Sequence, residues 1–262
     1  MIAALPDADA LRSRLPSTTM WGPIDVVATT GSTNADLSSA AHDGAPGGRV
    51  LVAGEQTAGR GRLARTWASP AGASVSMSVL LQPKQDWSRW GWLSLLAGLA
   101  VSSSLEALAP EGVRVALKWP NDVLLDGGKV CGILSERVES AAGLRAVVGI
   151  GINLTLTRDQ LPVPTATSLA LAGFDVTATD VVAGVLTEFE RYYRVWEAEG
   201  TLRDDYVARC ASIGTPLTIS VAGEPPRSGV GRGVDVDGRL EVETAAGLER
   251  FAVGDVIHAR LA

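Results

Sequence analysis

Glu55-Gln-Thr-Ala-Gly-Arg60-Gly-Arg-Leu-Ala-Arg65-Thr-Trp-Ala-Ser-Pro70 is the segment around which the rest of the sequence can be ordered. After Glu55 the next acidic residue is Asp86, although the whole chain has a formal net charge of -6. A cationic island in an acidic chain indicates a binding site for an anion. Arginine suits phosphate because its planar guanidinium donates paired hydrogen bonds, and glycines let the backbone approach an oxyanion closely.

The alternative interpretation of this segment is a solvated surface turn. Against it, Trp67 and Ser69-Pro70 close the charged stretch abruptly, and apolar residues flank it on both sides. Residues 49–54 predict a strand that leads in. Residues 73–81 alternate small polar and apolar side chains, which predicts a half-buried strand that leads out. A charged, glycine-containing segment between two strands is interpreted as a hinged flap.

Upstream, residues 24–28 predict a first strand, followed by Gly31-Ser-Thr-Asn34. Ser32 or Thr33 can cap a helix that runs to about Asp43. Capping alone requires one hydroxyl. Three consecutive hydrogen-bonding side chains at a helix N-terminus can also orient a polar ligand.

Downstream, residues 88–108 predict a long helix, in which Trp87, Trp90 and Trp92 serve packing rather than cofactor binding. A strand over residues 113–117 follows, and then Lys118-Trp-Pro-Asn-Asp122. The turn Asp126-Gly-Gly128 predicts a β-hairpin. This hairpin places Lys118 and Lys129 at adjoining strand ends, with Asn121 and Asp122 between them.

Residues 144–156 predict a largely buried strand in which Gly149 and Gly151 lie on one face, because strand side chains alternate. Glycine weakens a strand, so glycines inside one often mark a place where a ligand or another part of the chain approaches closely. An apolar slot for a ligand is the functional interpretation, widened by Gly132 on the neighbouring strand, and a bulge is the alternative.

The last part of the chain changes character after Ile213. Before it, Asp180 is predicted to cap a helix that ends at Gly200. After it, short apolar runs at residues 217–221, 230–236, 240–242 and 253–259 are separated by turns, which predicts a small β-barrel. We therefore expect two domains, residues 1–213 and 214–262.

Composition narrows the function. Hydrophobic residues make up 46% and charged residues 20% of the 262 residues, as in ordinary globular proteins. The net negative charge disfavours nucleic-acid binding. No secretory signal or apolar run of membrane-spanning length is present, and two separated cysteines predict reduced thiols and a cytoplasmic location. Two distant histidines predict no structural metal site.

Five motifs occur in one order. They are Ser32-Thr-Asn34, Gln56…Gly59-Arg-Gly-Arg62…Arg65-x-Trp67, Lys118-Trp-Pro-Asn-Asp122, Lys129-x-x-Gly-Ile-Leu134 and Gly149-x-Gly-Ile-Asn153. Together they closely resemble biotin–protein ligases from about residue 24 to 200. The resemblance implies an α+β catalytic domain of the class II synthetase-like type, with a mixed sheet flanked by helices, and a C-terminal SH3-like barrel. About two dozen residues precede the first strand, which predicts the ligase-only form without a DNA-binding domain.

The resemblance also implies a reaction. Biotin and ATP, with Mg²⁺, would form biotinyl-5′-AMP, and the biotinyl group would pass to a lysine of a biotin carboxyl carrier protein or domain. No nucleic-acid or membrane partner is expected. Lipoate or octanoate ligases of the same fold are the nearest alternative, and a DNA-binding repressor or biotin sensor is the non-enzymatic one.

The resemblance assigns roles by position. The catalytic residues would be Lys129, Arg60, Lys118 and Asp122. Biotin would contact Ser32, Thr33, Asn34, Gln56, Arg60, Gly61, Arg62, Lys129, Gly132, Gly149 and Gly151. ATP or the adenylate would contact Gly59, Arg60, Arg62, Arg65, Trp67, Lys118, Asn121 and Asn153, and no dedicated metal ligands are assigned. Leu63-Ala64 departs from the glycine or basic pair often found there in the family, which puts the stiffness of the flap in question.

Overall fold

The structure, a computed structural model, describes residues 5–67, 70–141 and 143–258. Ser69, part of the predicted closure of the flap, and Ala259, the last residue of the predicted final strand, lie outside the described residues. The helices are α1 (Ala8–Arg14), α2 (Thr33–His42), α3 (Trp92–Leu108), α4 (Ala178–Glu199) and α5 (Arg203–Arg209). The strands of the first sheet are β1 (Ile24–Thr30), β2 (Val50–Gln56), β3 (Ser74–Leu81), β4 (Val115–Lys118), β5 (Asp122–Leu125), β6 (Gly128–Ser140) and β7 (Gly143–Asn153).

These seven strands form one mixed sheet in the order β1-β2-β3-β7-β6-β5-β4. β1 and β2 are parallel, and the other neighbours are antiparallel. Helix α3 packs on one face and against α4, whereas α2 covers the other face. The predicted mixed sheet flanked by helices is confirmed.

Strand β3 differs from the expectation of a half-buried strand, because every residue from Ser74 to Leu81 is buried. Its apolar side chains, such as Met77 and Val79, enter the main core. Its serines face the opposite side, where α2 packs across β3, β6 and β7. The alternation in the sequence therefore separates an apolar layer from a buried polar layer, and not a core from solvent.

The long helix begins later than predicted. Trp87–Arg89 form a separate 3₁₀ turn, and α3 starts at Trp92. The prediction that all three tryptophans pack was wrong for Trp87, whose surface is 62% exposed, while Trp92 is fully buried and donates from its indole to Val236.

Helix α4 also begins differently. Its N-cap is Thr177, whose hydroxyl accepts from the Asp180 backbone, and the Asp180 carboxylate bonds back to Thr177. Asp180 is therefore the third residue of a capping box and not the cap itself. The helix ends at Gly200, which has a φ of 75°, as predicted.

The second sheet contains β8 (Pro216–Ser220), β9 (Arg227–Val234), β10 (Leu240–Thr244), β11 (Gly247–Phe251) and β12 (Asp255–His258). It is antiparallel in the order β11-β10-β9-β8-β12, consistent with an SH3-like barrel. Strand β11 was not expected from the sequence, because Gly-Leu-Glu-Arg-Phe251 forms no apolar run. Leu248 and Arg250 are exposed, Glu249 is partly exposed, and only Phe251 is buried.

Buried side chains of both sheets belong to one hydrophobic core, which includes Leu217, Ile219 and Val242 of the second sheet beside α3 and α4. Between the sheets, Cys210 forms a bridge with Leu117 of β4, and Ile213 forms one with Gly231 of β9. Of the helices in the described ranges, none combines the length and apolarity needed to cross a bilayer.

Candidate active site

One row of paired residues crosses five strands on the α2 side of the first sheet. Register pairs Ser76 with Gly151, Gly151 with Gly132, Gly132 with Asp122, and Asp122 with Lys118. Directly paired residues of antiparallel strands project to the same face. The row therefore runs from a polar end at β3, across a floor of two glycines, to a charged end at β4 and β5.

At the polar end, the N-terminus of α2 is tied to the sheet by hydrogen bonds. The Gln56 side-chain oxygen accepts from the backbone N–H of Thr33 at 2.8 Å and from the Thr33 hydroxyl at 3.0 Å. The Gln56 amide donates to Ser76 at 3.1 Å. Ser32 caps the helix by accepting from Ala35. The predicted residues Ser32, Thr33 and Gln56 are thus brought together and fixed.

Asn34 occupies the space above Gly149. Its amide donates to the carbonyl of Leu134 at 3.2 Å and to Glu136 at 2.6 Å, and its oxygen lies 2.6 Å from the Ser78 hydroxyl. A methyl group at position 149 would lie 2.9 Å from Asn34 Cγ and closer to its oxygen. The glycine therefore makes room for Asn34, and contact of Gly149 with a ligand stays a prediction.

The floor of the site is the glycine pair Gly132 and Gly151, and the indole of Trp67 lies on it. A methyl group would fall 2.9 Å from Trp67 Cζ3 at position 132 and 2.8 Å from Trp67 Nε1 at position 151. Within the described part of the chain, the buried Nε1 of Trp67 has no hydrogen-bond partner. The indole of Trp67 therefore fills the slot predicted from the glycines.

At the charged end, two lysines flank one carboxylate. Lys129 Nζ lies 2.6 Å and Lys118 Nζ 3.9 Å from the Asp122 carboxylate, whose side chain is 14% exposed. A register shift in the β5–β6 pairing makes this possible, because Asp122 pairs with Gly132 while Leu124 pairs with Lys129. In a regular strand, residues three apart point to opposite faces, and the bulge turns Lys129 onto the face of Gly132.

The arginine loop, residues 59–67, folds back on itself through an Arg60–Thr66 bridge and a bond from the Gly61 N–H to Arg65. Leu63 adopts the left-handed φ of 54° at its tip. Leu63 is one of the two residues that depart from the family pattern. A glycine adopts this left-handed conformation without strain, whereas a leucine rarely does.

All three loop arginines contact carboxylates. Arg60 lies 3.3 Å from Glu136, and Arg65 forms an ion pair with Asp255 of the second sheet. Arg62 donates to Asn121 at 3.1 Å and to the carbonyl of Gly254 at 3.2 Å. Burial lowers the pKa of the Arg62 guanidinium from its usual value, which nearby Asp255 partly offsets.

The two predicted asparagines differ. Asn121 lies beside the loop, where it accepts from Arg62 and donates to the Ile133 carbonyl at 2.8 Å. Asn153 is buried and donates to the Thr167 carbonyl at 2.9 Å. Its side chain holds the segment after β7, and contact with nucleotide stays a prediction.

Sequence reasoning missed four polar residues of the site, namely Ser76, Ser78, Glu136 and Asp255. The serines were visible as the polar half of the alternation in β3. Glu136 follows Gly132 and Leu134 at the two-residue spacing of one strand face, which was a usable signal. No sequence signal pointed to Asp255, because it lies 190 residues along the chain from Arg65, its partner in the loop.

Two further groups near the site titrate abnormally. Burial and the neighbouring Lys118 lower the pKa of His258, whose ring lies 2.9 Å from the Ser212 hydroxyl. Burial raises the pKa of the Cys131 thiol, so this cysteine is protonated and unreactive at neutral pH, as expected for a core thiol. No group of three or more metal-ligating side chains was found in residues 5–67, 70–141 and 143–258.

Known proteins are similar to this chain in sequence and in overall fold. Residues 26–153 match the biotin/lipoate A/B protein ligase family. The biotin–[acetyl-CoA-carboxylase] ligase of Mycobacterium tuberculosis is 39% identical over 247 residues, which cover 92% of this chain and 90% of that one. The ligase of the same name from Paracoccus denitrificans is 34% identical, covering 88% and 98%.

A solved structure is similar over the same extent. The biotin protein ligase from Aquifex aeolicus, in complex with biotin and ATP, has a TM-score of 0.76 at 26% identity and covers 92% of this chain and all of its own. From the match of residues 26–153 and the 39% identity to the mycobacterial ligase over 92% of this chain, we conclude that the chain belongs to the biotin/lipoate A/B protein ligase family.

Proposed function

We propose that this protein is an ATP-dependent biotin–protein ligase, which activates biotin as biotinyl-5′-AMP and transfers the biotinyl group to a lysine of a carboxylase carrier domain. The observation that carries the proposal is the row across the sheet. It joins a fixed polar network, a glycine floor and a carboxylate between two lysines. Beside it, Arg60 and Arg62 of the arginine loop contact Glu136 and Asn121. The relatives named above are biotin ligases, and one was solved with biotin and ATP.

In the first half-reaction, an oxygen of the biotin carboxylate attacks the α-phosphorus of ATP, and the bond to the β-phosphate oxygen breaks to release pyrophosphate. Both reactants are anions, so cations must overcome their repulsion. We assign Lys129 to the space between carboxylate and α-phosphate, where it stabilises charge in the transition state. Arg60, Arg62, Arg65 and Lys118 are assigned to the phosphates.

Biotin is proposed to lie over Gly132 and Gly151 with its polar ring toward Ser32, Thr33 and Gln56. The Trp67 indole fills that space in this structure, so it has to move aside when biotin binds. Thr33 and Gln56 already bond to one another and Ser32 caps the same helix, so this end of the pocket is preorganised. The unpartnered Trp67 Nε1 supplies a donor for the ligand. A polar network at this end favours a ureido ring over the linear chain of octanoate or lipoate.

In the second half-reaction, the carrier amine attacks the carbonyl carbon of the adenylate, and the bond to the phosphate oxygen breaks to release AMP. The amine must be neutral to attack, and we assign Asp122 to orient it and accept its proton. Water hydrolyses an acyl-adenylate, so we assign the arginine loop the further task of excluding it.

Magnesium is expected to enter with the nucleotide. The described residues offer no cluster of metal ligands, which fits an ion held mainly by phosphate oxygens and water. Bound there, Mg²⁺ would neutralise charge on the leaving pyrophosphate. We propose a cytoplasmic location and a biotin carboxyl carrier domain as the partner.

Mass spectrometry tests the proposal directly. A carrier domain incubated with this protein, ATP, Mg²⁺ and biotin should gain one biotinyl group at one lysine, and a carrier with arginine at that position should gain none. Transfer of octanoyl or lipoyl in parallel reactions, without transfer of biotin, would overturn the proposal.

A further inference from the structure

The second sheet reaches into the proposed nucleotide site at the start of β12. There the Gly254 carbonyl accepts from Arg62 at 3.2 Å, and one oxygen of the Asp255 carboxylate lies 4.0 Å from the same guanidinium. The other Asp255 oxygen forms the ion pair with Arg65. Asp255 therefore touches two of the three arginines of the loop.

These contacts supply a charge that the loop cannot supply itself. The loop has no acidic residue between Glu55 and Asp86. The Arg62 side chain is only 19% exposed, so its charge has lost much of its hydration and needs an anion nearby. In this structure the second sheet supplies that anion through Asp255, with Asp122 of the first sheet as a further negative charge.

From this geometry we propose that Asp255 stands in for a nucleotide phosphate, holding Arg62 and Arg65 in place and giving them up when phosphate binds. The inference rests on the proposed function. A phosphate group offers more acceptor oxygens and more negative charge than a carboxylate, so it competes well for the same guanidinium groups. Phosphate and carboxylate repel one another, so they do not share Arg65 at low cost.

A consequence of this competition is that nucleotide binding and loop–sheet contact oppose each other. Releasing the arginines from Asp255 costs free energy and so weakens nucleotide binding. A variant without this ion pair should therefore bind nucleotide more tightly. By linkage, nucleotide must in turn weaken the hold of the second sheet on the loop by the same factor.

Limited proteolysis with trypsin tests the hold on the loop, because trypsin must engage a free arginine side chain. We compare the full chain with Asp255→Asn, which keeps the size of the side chain, and with Glu249→Gln. The control breaks the Arg227–Glu249 ion pair of the same sheet, away from the loop. Cleavage after Arg62 and Arg65 should rise several-fold in Asp255→Asn only, and Mg-ATP should suppress it. Equal cleavage in all three proteins would overturn the inference.

Calorimetry with Mg-ATP tests the competition. Asp255→Asn should bind ATP more tightly by up to about fivefold, the range expected for a partly exposed ion pair, while Glu249→Gln matches the wild type. Equal or weaker binding by Asp255→Asn would overturn the inference alone. Absence of ATP binding by the wild-type protein would overturn the proposed function together with it.

Discussion

Replacing Gly149 with alanine tests whether the polar end of the site is built on the absence of a side chain. The added methyl group would lie 2.9 Å from Cγ of Asn34, which is 4% exposed and cannot swing into solvent. Asn34 must therefore shift, and its contacts with Ser78, Leu134 and Glu136 would weaken together.

The magnitude follows from those contacts. The three hydrogen bonds of the buried Asn34 side chain contribute about 1 kcal/mol each, and loss of glycine flexibility in the unfolded chain returns up to about 1 kcal/mol. We expect Gly149→Ala to lower the free energy of unfolding by about 2 kcal/mol, or Tm by roughly 4–8 °C for a chain of this size. Biotin affinity should fall as well, because Asn34 adjoins the Thr33–Gln56 network.

Thermal and urea denaturation, with calorimetry for biotin, measure these effects. Gly22→Ala is the matched control, because its methyl group would have only the Gly48 oxygen as a neighbour, at 3.8 Å. A double-mutant cycle sharpens the test: in an Asn34→Ala background, Gly149→Ala should cost almost nothing. Additive losses in the cycle would refute the idea that Gly149 acts through Asn34.

Three further outcomes are expected. Lys129→Gln should reduce biotin-dependent pyrophosphate release by about a hundredfold or more, with Lys84→Gln as the surface control, and an unchanged rate would remove Lys129 from the first half-reaction. Because the pKa of His258 is lowered in the fold, the neutral ring is favoured there. Its contribution to stability is present above its ordinary pKa and is lost as pH falls below it, so His258→Gln should flatten the decline of Tm in acid, and parallel Tm profiles would contradict this. Gly200→Ala should cost about 1 kcal/mol in unfolding free energy, because position 200 has a left-handed φ, and no loss in urea denaturation would count against the cap.

Local chemistry made much of the fold predictable. The Asp126-Gly127 turn has positive φ at both residues, which the Asp-Gly-Gly sequence indicated, and the β5–β6 hairpin follows from it. Gly200 ended α4 as expected. The five motifs likewise identified the residues that meet on one face of the sheet, because strand alternation fixes their direction once the strands are known.

Long-range geometry was not predictable in the same way. The bulge that turns Lys129 toward Asp122 depends on the pairing between β5 and β6. The bulged position is Val130, and a valine does not indicate a bulge as a glycine or proline would. The carboxylates that meet Arg60 and Arg65 come from positions 76 and 190 residues away along the chain. The sequence shows that the arginine loop needs negatively charged partners. Only the tertiary structure shows which carboxylates provide them.

The core that both sheets share limits how this enzyme can be rearranged. Leu217, Ile219 and Val242 belong to the same hydrophobic core as residues of α3 and α4, and Trp119 donates its indole N–H to the Gly238 carbonyl at 3.1 Å. Cutting the chain after Ile213 would leave apolar surface uncovered on both fragments. The C-terminal domain therefore cannot simply be exchanged for that of a relative. A replacement would need apolar side chains that fit the shared core and an acidic residue at position 255.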